Sequence, residues 1–154
     1  MKYKTSDTSQ YTQAKEYIDT AIIPLIPFSF VSDQEMTQLS LQKEMTQIYI
    51  DQIEKELKGR VFVTPEYYYV KNDKISDEKL RLEEYVNHIN KQPFKYIFLI
   101  TPDNKWRKIT KDMDVDLIWI PVIKEGNLNQ SETQQLIQSQ VKEIQSLIMD
   151  SWNE

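Results

Sequence analysis

Four short apolar runs, each closed by a proline, constrain the fold of this chain more than any other feature of its sequence. They occupy residues 20–23, 61–63, 96–100 and 116–120, and prolines follow at positions 24, 65, 102 and 121. Proline cannot donate a hydrogen bond to a sheet ladder, so it marks the end of a central strand. Because the runs are continuously apolar rather than alternating, we expect strands that are covered on both faces, as in parallel sheets.

Helical patterns separate these predicted strands. Ser32 and Glu35 form a capping box before a long amphipathic segment that ends at Gly59. Further helices are predicted over residues 7–18, from Ser76, and from Asn129 to the end of the chain. Residues 103–115 fit either a short crossover helix or an antiparallel strand.

The alternation of strands and helices predicts a single α/β domain over residues 1–154. We expect a three-layer sandwich, Rossmann- or flavodoxin-like, with about four mostly parallel strands and helices on both faces. The expected strand order is 2-1-3-4, since it places the run at residues 20–23 in the centre. The prolines at positions 24 and 27 should lie at or beyond the end of that strand.

Composition excludes several classes of function. The net charge of −5 disfavours nucleic acid and anionic lipid as partners. The chain has no cysteine, which excludes disulfides and thiolate metal sites and fits a cytoplasmic protein. The longest uncharged run, residues 20–32, contains two prolines and is too short to span a bilayer, so no direct membrane insertion is expected. With two glycines, the chain carries no glycine-rich nucleotide loop, and no cofactor is predicted.

In an open parallel sheet, ligands bind beyond the carboxyl ends of the strands. Here that rim comprises residues 24–32, 64–69, 101–107 and 121–125. The predicted ligand-binding side chains on it are Ser29, Ser32, Glu66, Tyr67, Tyr68, Thr101, Asp103, Trp106 and Arg107. The alternative is that Ser32 only caps its helix and that the tyrosines pack on the sheet edge.

Other motifs predict little chemistry. Asp112, Asp114 and Asp116 resemble the start of a calcium loop, but Leu117 replaces the turn glycine and Ile123 the bidentate glutamate. His88 is the sole histidine, so no catalytic residue and no metal site are assigned. The basic cluster of residues 105–108 and Lys111 could bind a phosphate group or an acidic partner, with the tryptophan stacking on it.

The first thirty residues carry a family resemblance. Tyr11, the segment 16–20 (EYIDT) and the segment 23–27 (IPLIP) resemble the YpiF-like family of small bacterial proteins of unknown function. The resemblance implies a cytosolic protein and brings no catalytic residue with it.

Two hypotheses about function follow. The first is a non-enzymatic interaction or accessory protein with a protein partner, because no catalytic constellation is present. The second is a small-molecule-binding or enzymatic domain, its ligand unidentified, with its site at the carboxyl rim. Asp19 stands at the opposite, amino end of the first strand, so we assign it a structural role.

Overall fold

A computed structural model describes residues 1–72, 74–123 and 126–154. Its strands are β1 (Thr20–Phe28), β2 (Val61–Val63), β3 (Tyr67–Val70), β4 (Tyr96–Thr101) and β5 (Asp116–Trp119). Its helices are α1 (Thr5–Gln13), α2 (Asp33–Glu56), α3 (Lys79–Ile89), α4 (Trp106–Ile109) and α5 (Ser131–Trp152), and a 3-10 turn over Ile75–Glu78 precedes α3. Glu125, the end of the fourth predicted rim segment, lies outside the described residues.

The sheet is parallel in every described pairing, with the order β2-β1-β4-β5 and with β3 also paired to β1. Counting only the four predicted strands, this is the order 2-1-3-4, so the prediction is confirmed. The predicted α/β class and the three layers are confirmed as well. The strand at the centre, β1, is buried along almost its whole length.

The predicted end of β1 is wrong, because the strand continues through Pro24 and Pro27 to Phe28. Backbone groups of even-numbered β1 residues face β2, since the Thr20 amide donates to the Arg60 carbonyl at 3.2 Å. The nitrogen of Pro24 therefore points to the β2 side of the strand. At that position the pairing with β2 has ended and the pairing with β3 has not begun. Pro27 faces the other side, beyond the last pairing with β4. Neither proline removes a ladder hydrogen bond.

A short strand missing from the prediction, β3, extends the sheet beyond β2 along the same edge of β1. Ile22 pairs with Val63, and Leu25 pairs with Tyr67. Between these two pairs β1 advances by three residues, whereas the neighbouring segment advances by four. One extra residue in the connecting segment thus interrupts the ladder as a bulge does. The tyrosines at positions 67–69 are therefore held in a strand rather than in a loop.

Two apolar cores lie on the two faces of the sheet. The face of Ile22, Phe98 and Ile100 packs against α2 and α5. The face of Ala21, Ile23 and Leu99 packs against α3 and α4. Tyr11 of α1 packs on Phe62, which lies opposite Ala21 and so extends the second face towards the β2 edge.

Helix ends follow local chemistry. The Ser32 side chain accepts a hydrogen bond from the Glu35 amide at 3.1 Å, so the predicted cap is confirmed. After α2 the chain turns at Gly59, whose φ of 98° favours glycine. Residues 103–115 contain the one-turn helix α4, which resolves the ambiguity in favour of a crossover helix. The first helix spans Thr5–Gln13 rather than 7–18, and no side chain caps it.

Candidate functional site

Three aromatic side chains lie together on the α3/α4 face of the sheet, beside the second half of β1 and after the carboxyl end of β4. Tyr67 and Tyr69 are buried, and Trp106 has no exposed surface. The Trp106 ring meets the Tyr69 ring edge-on at 5.1 Å and the Tyr67 ring edge-on at 6.3 Å. We call Tyr67, Tyr69 and Trp106 the aromatic plug. It closes the α3/α4 face of the rim, where the sequence predicted a ligand.

Hydrogen bonds fix the two tyrosines of the plug. The Tyr69 hydroxyl donates to Asp103 at 2.7 Å, across the end of β1. The Tyr67 hydroxyl donates to Glu78 at 2.7 Å, and the Arg81 guanidinium lies 4.4 Å from the Tyr67 ring. Burial, helped by the adjacent carboxylates, raises the pKa of both hydroxyls above the usual tyrosine value. Both therefore stay protonated as donors.

Three predicted rim residues stabilise turns. Ser29 is buried, and its hydroxyl accepts from the Val31 amide at 3.1 Å. Thr101 is also buried, and its hydroxyl accepts from the Asp103 amide at 3.1 Å. Ser32 caps α2. These contacts shape the loops after β1 and β4.

Glu66 and Tyr68 line an open pocket of about 530 Å³ on the β2 side of the rim. Glu66 accepts from Gln47 of α2 at 3.0 Å and also from the Tyr68 hydroxyl. Burial, and then the hydrogen bond to Glu66, raise the pKa of Tyr68. Of the predicted site residues, these two are the ones that the fold brings together at a pocket wall.

The predicted basic cluster is split by the fold. Arg107 and Lys108 are exposed, whereas the Trp106 ring lies in the core and presents no face for stacking. In the acidic turn, Asp112 binds Lys79 at 2.8 Å and Asp116 begins β5. Within the described ranges, no group of three His, Cys, Asp or Glu side chains is placed to hold a metal ion.

An exposed apolar patch lies at the same end of the sheet, on the α2/α5 side of β1. Phe30 and Val31 are 80% and 81% exposed, and Phe28 and Val70 are also exposed. Phe28 pairs with Val70 across the strands, and its ring meets that of Phe30 at 6.3 Å. We call Phe28, Phe30, Val31 and Val70 the carboxyl patch. This patch was not predicted from the sequence, although the apolar residues between Pro27 and Ser32 are a signal that could have indicated it.

The amino end of the sheet is closed by polar contacts around Asp19. Its carboxylate binds Arg60 through two hydrogen bonds, at 2.9 and 3.1 Å. The Arg60 guanidinium lies 4.0 Å from the Trp152 ring, and the Trp152 indole donates to the Thr20 hydroxyl at 2.8 Å. Asp19 thus connects β1 to the start of β2, beside the last turn of α5.

Comparison with known proteins gives the family. A family model described as a protein of unknown function (DUF2487) matches residues 9–152, and the chain belongs to this family. The chain is also 30% identical over 155 residues to the uncharacterized protein YpiF of Bacillus subtilis strain 168, with 99% of each chain covered. The resemblance in the first thirty residues is thereby confirmed and extends over nearly the whole chain. No solved structure matches it.

One further finding concerns membranes. Among the helices in the described part of the chain, none combines the length and the apolar character that a bilayer crossing requires.

Proposed function

We propose that this protein is a non-enzymatic interaction protein that binds a protein partner through the carboxyl patch. The observation that supports the proposal is the exposure of two phenylalanines and two valines at one end of the sheet, where Phe28 contacts Phe30 and pairs with Val70, and Val31 follows Phe30 in the chain. Large apolar side chains contribute most to the free energy of binding when a partner buries them, and contiguous exposed apolar surface marks interaction sites. The patch is bordered by the Lys71–Glu35 ion pair, at 3.8 Å, which supplies a polar rim.

The neighbouring plug is consistent with this role. Its hydroxyls are already paired with Asp103 and Glu78, so they are committed to the fold. A rigid base beneath an exposed patch reduces the entropy lost on binding. We include a cytoplasmic location in the proposal, which fits a chain without cysteine.

The test is the size of the native assembly in gently lysed cells of the source organism, measured by gel filtration with an epitope-tagged chain. We expect the wild-type chain to elute ahead of the monomer and the Phe30→Ser/Val31→Ser variant to elute as the monomer. Leu80→Ser, which changes an exposed leucine on α3, is the matched control and should elute like the wild type. A monomeric wild-type chain would reject the proposal. Gel filtration of the purified chain separates self-association from binding of another protein.

A second candidate function is supported by the pocket lined by Glu66 and Tyr68. It is the binding of a small polar ligand at the rim, as the sequence predicted. A thermal-shift screen of nucleotides, sugar phosphates and carboxylates tests it. A ligand at 100 times its dissociation constant should stabilise the protein by about 2.7 kcal/mol. Glu66→Gln should remove that shift.

A further inference from the structure

We propose that a groove between α1, β2 and α3 binds a small apolar anion, such as an aromatic or medium-chain carboxylate. This site is separate from the carboxyl patch and does not depend on the proposed function. The groove has a volume of about 580 Å³, within the range of small-molecule sites in proteins.

The floor of the groove is aromatic. The Tyr11 ring stacks on Phe94 at 5.7 Å and meets Phe62 edge-on at 5.2 Å. The Tyr11 hydroxyl donates to Gln92 at 3.1 Å, so its polar atom is satisfied, and what Tyr11 presents at the groove wall is ring surface. Ile89 and Pro65 supply further apolar wall. A flat or flexible apolar body suits this lining.

The charges around the groove have one sign. Lys15 and Lys91 line it beside His88, and among the described residues no aspartate or glutamate does, although the chain has 24 acidic residues and a net charge of −5. In the described part of the chain, neither lysine belongs to a salt bridge, and the Lys15 ammonium lies 5.8 Å from the centre of the Tyr11 ring. An anionic head group would therefore meet cations at the mouth while its apolar body rests on the rings.

A matched pair of fluorescent probes tests both halves of this inference. 8-Anilinonaphthalene-1-sulfonate and N-phenyl-1-naphthylamine share one ring system, and only the first carries a negative charge. We expect both to bind saturably, one per chain, with the sulfonate bound about fivefold to tenfold more tightly, as charge-assisted contacts at a half-exposed site allow. Absence of saturable binding, or equal affinity for the two probes, would overturn the proposal.

Substitutions locate the probe. Lys15→Gln/Lys91→Gln should weaken sulfonate binding about fivefold and leave binding of the neutral probe unchanged. Lys108→Gln/Lys142→Gln removes two lysines that do not line the groove and should change neither affinity. Thr12→Trp, at an exposed position of α1 that lines the groove, should fill it and remove both probes.

Two results would place the probes elsewhere and reject the site. One is loss of binding in Phe30→Ser/Val31→Ser, which would assign the probes to the carboxyl patch. The other is an equal effect of the two lysine pairs. Urea unfolding of each variant verifies that it is folded. If Thr12→Trp does not fold, the comparison of Lys15→Gln/Lys91→Gln with Lys108→Gln/Lys142→Gln still decides whether the sulfonate binds in the groove.

Discussion

The two ends of the sheet differ in how their side chains are used. At the amino end, Asp19, Arg60 and Trp152 come from distant parts of the sequence and bind one another. At the carboxyl end, the two plug tyrosines are hydrogen-bonded, but the buried Trp106 indole nitrogen has no hydrogen-bond partner among the described residues, and Phe30 and Val31 contact little of the protein. The Asp19 cluster thus serves to stabilise the fold, whereas our proposed function assigns partner binding to the exposed patch at the carboxyl end.

The largest effect should come from the plug. Trp106→Ala removes a fully buried indole that contacts both plug tyrosines, so the free energy of unfolding should fall by about 3–5 kcal/mol. Trp119→Ala, at a partly exposed position of β5, should cost much less. Urea unfolding followed by circular dichroism measures both. Similar costs for the two variants would mean that the carboxyl end is not held by the plug.

Breaking the ion pair at the amino end should lower the free energy of unfolding by less than Trp106→Ala does. Arg60→Ala removes two hydrogen bonds to Asp19 and the stacking on Trp152, at a partly exposed site, and should cost about 1–2 kcal/mol. Arg60→Lys keeps the charge but not the two-point geometry, so it should recover only part of that loss. A double-mutant cycle with Asp19→Ala isolates the pair. A coupling free energy near zero would show that this end is held by apolar packing instead.

Alkaline pH should weaken the contacts at the carboxyl end. Tyr49 donates to the Pro121 carbonyl just beyond β5, at 3.1 Å, and burial raises the pKa of Tyr49 to about 12. The unfolded chain loses that proton near pH 10, so the stability that Tyr49 provides is complete below pH 10. It is lost as the pH rises towards 12, with a slope of up to about 1.4 kcal/mol per pH unit.

Tyr49→Phe should lower the slope of this part of the stability curve by up to about 1.4 kcal/mol per pH unit, measured by urea unfolding at pH 9, 10 and 11; the other tyrosines whose pKa is raised, Tyr67, Tyr68 and Tyr69 among them, supply the slope that remains. Tyr17→Phe, which alters an exposed ring before β1, should leave the slope as in the wild type. An unchanged slope in Tyr49→Phe would show that Tyr49 does not contribute to the loss of stability at alkaline pH.

The smallest change in stability should come from the carboxyl patch. Because Phe30 and Val31 are about four-fifths exposed, Phe30→Ser/Val31→Ser should change the free energy of unfolding by no more than about 0.5 kcal/mol. A loss of several kcal/mol would mean that the patch is structural.

Most of the fold could be predicted from sequence because its strands are continuous apolar runs between amphipathic helical segments. The strand order followed from placing the first run at the centre. The extent of β1 could not be predicted, because a proline is tolerated wherever its nitrogen faces no paired strand, and that depends on the neighbours. The strand of Tyr67–Val70 was missed because Thr64 and Pro65 were interpreted as the end of a strand, whereas the chain pairs with β1 again directly after them.

The predicted site residues lie at one end of the sheet, as expected, but their burial could not be predicted from their residue types. Trp106 and Tyr69 lie in the core, whereas Phe30 lies at the surface, although all three are aromatic residues in loops or short elements. For the tyrosines, burial depends on the register of β3 on β1, which directs Tyr67 and Tyr69 to the α3/α4 face and Val70 to the other face.

The two ends of β1 can be compared directly in living cells by photo-cross-linking. Tyr17 and Phe30 are exposed aromatic residues just before and just after this strand, with exposed fractions of 67% and 80%. Each is replaced in turn by p-benzoylphenylalanine, and the cells are irradiated. We expect a discrete cross-linked protein from position 30 and none from position 17. Equal cross-linking from both positions, or a product from position 17 alone, would contradict the assignment of binding to the carboxyl end.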